Sequence, residues 1–406
     1  MKPHAKMNVQ PWMTAPETEA VLQALTAKGA VARFVGGCVR DAVLGRSVRD
    51  IDIATTEPPE RVLELLKAAG IHAIPTGIAH GTVTAVVNHK PFEITTLRRD
   101  VETYGRHAKV RYTDDWKEDA ARRDFTMNAL FCDADGTLFD PFAGMADLRE
   151  GRVRFVGEAK ARIREDVLRL LRFFRFYAEY GKPPPDAEAL RACTELAHLL
   201  PNLSGERVRA ELLRLLDSER SPAVIGLMAQ AGVLGHVLAE ATEVETLAAL
   251  INCETETVGG HAIRRLASLL KGGAAAVAVR LKLSNAEKHR LIGLVANPID
   301  SGKFLDRKAV RAALYREGGV RVIDLALLHW ARDGAGEARY RAAIAEAQAW
   351  KPQTLPIKGK DLLALGLKPG PELGKLLEDV EAWWVGQDFA PSRAACLAQA
   401  KALKAR

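Results

Sequence analysis

No apolar run in this 406-residue chain approaches the length needed to cross a bilayer, and the opening MKPHAKMNVQPW holds no apolar stretch that would serve as a secretory signal. A cytoplasmic location is therefore expected. Cysteine is scarce: five residues, at positions 38, 132, 193, 253 and 396, with no CxxC pair among them. That spacing argues against a zinc cluster or a disulfide framework and leaves reduced thiols as the default. No fixed-period repeat is evident, which argues against a solenoid. What is present is ordinary for a folded protein: 48% apolar and 27% charged residues, enough chain for about two to four domains, and a net charge of +7. The positive charge is a weak pointer to a polyanionic partner.

The chain changes character near residue 140. Before it, strand and helix patterns alternate. Residues 14–28 read as a helix with Thr14 and Glu17 at capping-box spacing. VARFV (31–35) reads as a strand, GGCVRDAVLG as a turn and short helix ending near Gly45, DIDIA (50–54) as a second strand, and TEPPERVLELLKAAG (56–70) as a capped amphipathic helix. GTVTAVV (81–87) and FEITTL (92–97) form an expected hairpin through NHKP. Beyond residue 150 nearly every segment has helical periodicity, and ARIREDVLRLLRFFRFYAEYG reads as one continuous amphipathic helix. The expected class is α+β: a small mixed-sheet head with helices, followed by an all-helical remainder.

The first chemical signal is a pair of carboxylates. In a strand, residues i and i+2 face the same way, so Asp50 and Asp52 project side by side while Ile51 and Ile53 point inward. Two such carboxylates repel, and a divalent cation would neutralise them; oxygen ligands without nearby His or Cys suit Mg²⁺. The plain alternative is two solvated aspartates at a strand end. Context favours the metal. Gly36 and Gly37 stand at a strand-to-helix turn, where backbone N–H groups can approach an anion, and Arg40 follows one turn into the helix. Glu93, on FEITTL, is a candidate third carboxylate. Glycine turn, DxD and strand carboxylate together describe a two-metal nucleotidyl-transfer site.

GGCVRD followed by RDIDIAT resembles the head of the polymerase β nucleotidyltransferase superfamily. More narrowly, the chain resembles the class II tRNA CCA-adding enzymes and bacterial poly(A) polymerases. EDAARRDFTMNAL (118–130) is similar to the family's RRDFTxNA motif, and FDPFAGMADL (139–148) to its DPFGG-type connector, with Ala143 where glycine is usual. REDVLRLLRFFRF carries EDxxR as Glu165, Asp166 and Arg169, and SGERVRAEL (204–212) resembles the helix that braces the nucleotide-reading helix, with Glu206 and Arg207 as supporting residues. The resemblance implies Asp50, Asp52 and Glu93 as catalytic, the two aspartates as ligands of two Mg²⁺ ions, and Gly36, Gly37, Arg40, Arg122, Arg123, Asp124 and Asn128 around triphosphate and sugar. It implies CTP, ATP and the acceptor end of tRNA as partners. It also implies a catalytic head at 1–148, a base-reading neck at 149–220, a body at 221–350 and a tRNA-binding tail at 351–406.

EDxxR has a physical reading. Asp166 and Arg169, three apart on one helix, would share a face. Cytosine and adenine each present an amino group beside an acceptor ring nitrogen, whereas uracil and guanine present a carbonyl beside a ring N–H. A carboxylate and a guanidinium can therefore accept C and A and reject U and G. The alternative is an ordinary surface ion pair. RRDFTMN has its own plain reading, a basic stretch followed by a core phenylalanine. The polar segment 98–119 reads as a surface loop, which the family links to the switch from C to A addition. Neck arginines Arg149, Arg152, Arg154, Arg162, Arg164, Arg172 and Arg175, and tail lysines Lys358, Lys360, Lys368 and Lys375, suit phosphate contacts, or equally a solvated face. Trp350, Trp383 and Trp384 read as core. Competing functions are a bacterial poly(A) polymerase, a CC-only or A-only enzyme, and a non-catalytic RNA-binding relative.

Overall fold

In a computed structural model, residues 1–104, 107–296 and 300–404 are described. They divide into two compact units, Met1–Ala239 and Glu240–Arg406.

The first unit opens with a short strand β1 (Ala5–Lys6) and helix α1 (Pro16–Thr26), then β2 (Ala32–Val35), α2 (Gly37–Val43), β3 (Ile51–Thr55) and α3 (Pro59–Ala68). β4 (His72–Gly77), β5 (Thr82–Val87) and β6 (Lys90–Thr96) form a meander. β7 (Arg98–Tyr104) and β8 (His107–Tyr112) pair as a separate hairpin, and α4 (Trp116–Ala121) follows. β9 (Phe131–Cys132) and β10 (Thr137–Phe139) close an eight-stranded sheet of order β1-β10-β9-β2-β3-β6-β5-β4. Its central strands β3 and β6 are parallel, with Asp52 opposite Glu93. One core of this unit gathers Val35, Ala54, Leu97, Trp116, Phe131 and Phe139.

Helices complete the unit: α5 (Gly144–Glu150), α6 (Ala159–Glu165), α7 (Leu168–Tyr180), α8 (Ala187–Leu196), α9 (Gly205–Asp217), α10 (Ser221–Gln230) and α11 (Leu234–Val237). α5 is entered through Ala143, whose φ of 58° lies in the left-handed region. That explains why glycine suits the position, since a Cβ costs about 1–2 kcal/mol there. The Asp140 carboxylate offsets part of this cost by accepting the N–H groups of Gly144 and Met145, each at 2.8 Å.

The capping box expected of Thr14 and Glu17 does not form: Ala15 precedes α1, with no side-chain hydrogen bond at the cap. Two larger expectations also need correction. The segment 98–119 is not an irregular loop: apart from Gly105 and Arg106, which lie outside the described residues, it is the β7–β8 hairpin plus α4, whose first turn Asp115 caps through the Lys117 N–H. The single helix expected over 161–181 is broken. Asp166 leaves the helical region at φ −149°, ψ 106°, and its Oδ1 accepts the Leu168 N–H at 3.1 Å, so it ends α6 and caps α7. A short acidic side chain competing for backbone N–H groups is a helix-start signal that the apolar periodicity running through both helices conceals.

The second unit contains ten α-helices among the described residues, from Val244–Thr255 to Arg393–Lys404. Trp384 is buried in its C-terminal core, with Trp383 packed against that core.

Candidate active site

The site is built around α2. The chain leaves β2 and turns at Gly36, whose φ of 73° favours glycine; a Cβ there would lie 3.3 Å from the Arg123 guanidinium. α2 then carries Arg40 inward, where it is only 8% exposed. Its Nε and Nη2 donate to the two oxygens of Asp41, each at 2.9 Å, and its Nη1 donates to Asn128 Oδ1 at 2.7 Å. The Asn128 amide in turn donates to Asp124 Oδ1 at 2.9 Å, and Asp124 Oδ2 accepts Arg172 Nε at 2.7 Å. Burial alone would raise the Asp124 carboxyl. Arg172 first, then the Asn128 amide and the Phe125 N–H, bring it down to about 2. Phe125 is fully buried against Phe155 and Phe176, at ring-centroid distances of 4.9 and 5.0 Å. The core phenylalanine and the polar motif are thus both real: Phe125 anchors the turn that aims Asp124 and Asn128.

Arg122 and Arg123 are held by one buried carboxylate, Asp119, at 2.7 and 3.0 Å. Asp119 would be raised by burial, but Arg123 and Arg122 pull it below its ordinary value.

One cleft of about 520 Å³ is lined by Gly36, Gly37, Arg40, Asp52, Arg122, Arg123, Asp124, Asn128, Asp166, Arg169 and Arg207, joined by Leu168, Arg172 and Phe176. Eleven expected residues, from five separated stretches of the sequence, therefore line one cleft. Asp50 stands just outside β3, exposed, in an adjoining cleft that shares Asp52. Glu93, Glu165 and Glu206 are not on the wall of the first cleft. Reasoning from the sequence missed Asp41, Asp119 and Glu211. Asp119 was legible as a carboxylate three and four residues before Arg122 and Arg123 on a helix.

The expected sharing of one helix face by Asp166 and Arg169 is overturned by the helix break. Asp166 pairs instead with Arg207 of α9, at 2.8 and 3.0 Å. Arg169 donates to Glu165 Oε2 at 2.6 Å and to the Arg122 carbonyl oxygen at 3.1 Å. Both side chains still face the cleft. Of the neck arginines, Arg154 is paired with Asp147, Arg162 with Glu165, Arg172 with Asp124 and Arg175 with Glu211.

The carboxylates suit a divalent ion in chemistry. Among the described residues no group of three or more His, Cys, Asp or Glu forms a closed metal cage. Magnesium, however, is commonly held by one or two carboxylates completed by substrate phosphates. The Asp52 carboxyl is pushed up to about 6 by burial, then by the facing Glu93 and by Asp50, against the pull of Arg123 and Arg40. A cation is what would reverse that balance.

Comparison with known proteins follows the same division. The family of poly A polymerase head domains matches residues 32–154, and the family described as the probable RNA and SrmB- binding site of polymerase A matches 185–244. The mitochondrial CCA tRNA nucleotidyltransferase 1 of Mus musculus is 37% identical over 365 residues, spanning 87% of this chain and 82% of the mouse protein. The CCA-adding enzyme of Geobacillus stearothermophilus is 41% identical over 230 residues, 55% of each chain. A crystal structure of the Bacillus stearothermophilus CCA-adding enzyme in complex with CTP superposes with a TM-score of 0.81 at 27% identity, covering 96% of this chain and 98% of that one. The fold and the head match thus define an RNA nucleotidyltransferase. The chain belongs to the CCA-adding tRNA nucleotidyltransferase family.

Proposed function

We propose that this protein adds C, C and A to the 3′ end of tRNA from CTP and ATP, with no nucleic-acid template. The observation that carries this reading is the convergence, in one cleft, of the glycine turn, Asp52 and the Asp166/Arg169 pair. In each cycle the RNA 3′ oxygen bonds to the α-phosphorus as the bond to the β-phosphate breaks. Pyrophosphate keeps that electron pair and the hydroxyl proton is lost to solvent. The glycine turn lets the triphosphate come close to the backbone, and Arg40, fixed by Asp41 and Asn128, supplies positive charge to it. Arg122, Arg123 and Asp124 hold sugar and phosphates. Mg²⁺ ions, held by Asp50 and Asp52 with Glu93 as a neighbouring carboxylate, would neutralise charge on the α-phosphate and the leaving group. Asp166 and Arg169 read the base edge, with Glu165, Glu206 and Arg207 supporting them.

The four-way division also stands as a proposal: catalytic head 1–148, base-reading neck 149–220, body 221–350 and tRNA-binding tail 351–406. Cytoplasmic residence is proposed as well; no helix among the described residues is long and apolar enough to cross a membrane.

The test is incorporation of each of the four nucleotides into tRNA transcripts ending before the first C, after one C and after two. Addition of C, then C, then A, with C refused once two are in place and nothing added after A, supports the reading. Homopolymeric A would instead mark a poly(A) polymerase, and addition of C alone or A alone a partial enzyme. Shortening residues 100–115, the hairpin region, should leave CC addition largely intact and remove the terminal A; equal loss of both would defeat that role for it.

A further inference from the structure

Helix α7 reaches cleft residues from both of its ends. Arg169 stands in its first turn, beside Asp166, and Tyr180 is its last residue, roughly 16 Å further along at 1.5 Å per residue. Tyr180 follows Phe176 by four residues, so the two rings share a helix face, with centroids 5.6 Å apart. Phe176 is buried in the core, whereas Tyr180 is half-buried against α2. There it meets the arginine that the proposed reaction assigns to the triphosphate. The Arg40 guanidinium lies over the Tyr180 ring, 4.2 Å from its centroid. The Tyr180 hydroxyl lies 3.2 Å from Asp41 Oδ1 and 2.8 Å from Glu179 Oε1, and Asp41 is the carboxylate that holds Nε and Nη2 of Arg40. Burial raises the hydroxyl well above the ordinary tyrosine range, so at neutral pH it keeps its proton and donates.

We propose that Tyr180 is a positioning residue for nucleotide addition: it fixes Arg40, directly through its ring and indirectly through Asp41, in the orientation that grips the triphosphate. The inference rests on the reading that places the triphosphate at Arg40. A guanidinium has five N–H donors. Asp41 takes two and Asn128 one, so one on Nη1 and one on Nη2 stay available among the described residues. Nη2 lies 3.7 Å from where a Cβ on Gly37 would stand, which holds the guanidinium against the glycine turn. An arginine side chain has many rotamers to lose, and one already fixed binds a phosphate more tightly than a free one. Two tasks are thereby separated along one helix, base reading at its start and phosphate grip at its end. Loss of Tyr180 should cost triphosphate binding without changing which base is preferred.

The experiment measures equilibrium binding of CTP and of CMP, with Mg²⁺ present, to the wild type, Tyr180→Leu, Tyr180→Phe, Arg40→Ala and the Arg40→Ala/Tyr180→Leu pair. Tyr180→Leu removes ring and hydroxyl, and should weaken CTP roughly tenfold while CMP stays within about twofold. Tyr180→Phe keeps the ring and loses only the contact with Asp41, so CTP should be weakened about threefold. In the Arg40→Ala background Tyr180→Leu should have no further effect, because it acts through Arg40. KM for tRNA and the preference for CTP over UTP should stay within about twofold of wild type. CTP and CMP weakened in parallel would overturn the inference, since α7 as a whole would then be disturbed. So would wild-type CTP affinity in a leucine variant with a native melting temperature, or a rise confined to the KM for tRNA. Should the leucine variant not fold, the phenylalanine variant decides alone, and a wild-type ratio of CTP to CMP affinity in it overturns the inference. Failure of the parent reading looks different: Arg40→Ala itself would leave that ratio at the wild-type value. Failure of this inference alone would collapse the ratio in Arg40→Ala and leave it intact in both Tyr180 variants.

Discussion

Two clusters of charge in this molecule are arranged on opposite principles. In the second unit, Glu254 and Asp324 are completely or almost completely buried, and every carboxylate oxygen meets a guanidinium. Arg264 and Arg265 donate to the two oxygens of Glu254 at 2.7 and 2.6 Å, while Arg264 and Arg290 share Asp324 at 2.7–2.9 Å. In the first unit, Glu93 and Asp50 both act on Asp52, and burial and like charge push its carboxyl above the ordinary range. A buried ion cluster with all partners present is a structural solution. A partly buried cluster of one sign, next to a glycine turn, leaves electrostatic demand for something that binds. The lesson is that burial of charge does not mark a functional site; incomplete neutralisation inside a cleft does.

The sharpest way to break the contrast is at the two carboxylates themselves. Asp52→Ala should lower incorporation by about 10³-fold or more. Its melting temperature should be unchanged or slightly raised, because a repelled carboxylate is removed. A large drop in melting temperature would place Asp52 with the structural cluster. Glu254→Ala should do the reverse to stability, costing about 3–5 kcal/mol, since it removes a buried carboxylate that two buried arginines share. Urea unfolding reads this, and a loss below about 1 kcal/mol would mean the cluster is hydrated and the comparison fails.

Asp124 lies between the two types, since it is buried and paired yet sits on the cleft wall. Its carboxyl titrates near 2 when folded, against an ordinary 3.8, so its contribution is complete above about pH 4 and is lost as pH falls through about 2. The difference corresponds to about 2 kcal/mol. Asp124→Asn should therefore be less stable than the wild type by about that amount at pH 7, with the gap closing between pH 4 and pH 2. A gap independent of pH would show that shape, and not charge, holds the site together.

The smallest expected effect concerns selection. Asp166→Ala removes repulsion of a base carbonyl as well as attraction of an amino group, so UTP should gain on CTP by roughly tenfold while the total rate falls. It also removes the cap of α7 and the partner of Arg207, at a cost of about 1 kcal/mol. Single-turnover incorporation of the four nucleotides decides it. Four rates falling in parallel would return Asp166 to the structural class, as the cap and ion-pair partner that its contacts already describe.

Much of the head was legible because its signals are local. A glycine pair after an apolar run, alternating Asp–Ile–Asp–Ile and the amphipathic helix expected over 56–70, which runs Pro59–Ala68 without the expected side-chain cap, are set within a few residues by backbone sterics and periodicity. The break at Asp166 was legible in principle, as an acidic cap, but a longer apolar period spanned it and won the reading. The hairpin Arg98–Tyr112 was missed because its residues are polar and charged, so no apolar alternation marks its strands.

Local chemistry thus determined the elements, the glycine turn and the carboxylate pair, since each depends on steric and electrostatic rules acting over one to four residues. The tertiary structure alone decided the partners: Asp52 opposite Glu93 across parallel strands, Arg40 on Asn128, and Asp166 on Arg207. Those pairings depend on how a sheet and a set of helices pack, and a side chain's partner across tens of residues is fixed by burial of the apolar faces around it, which carry no record of the charge they bring together.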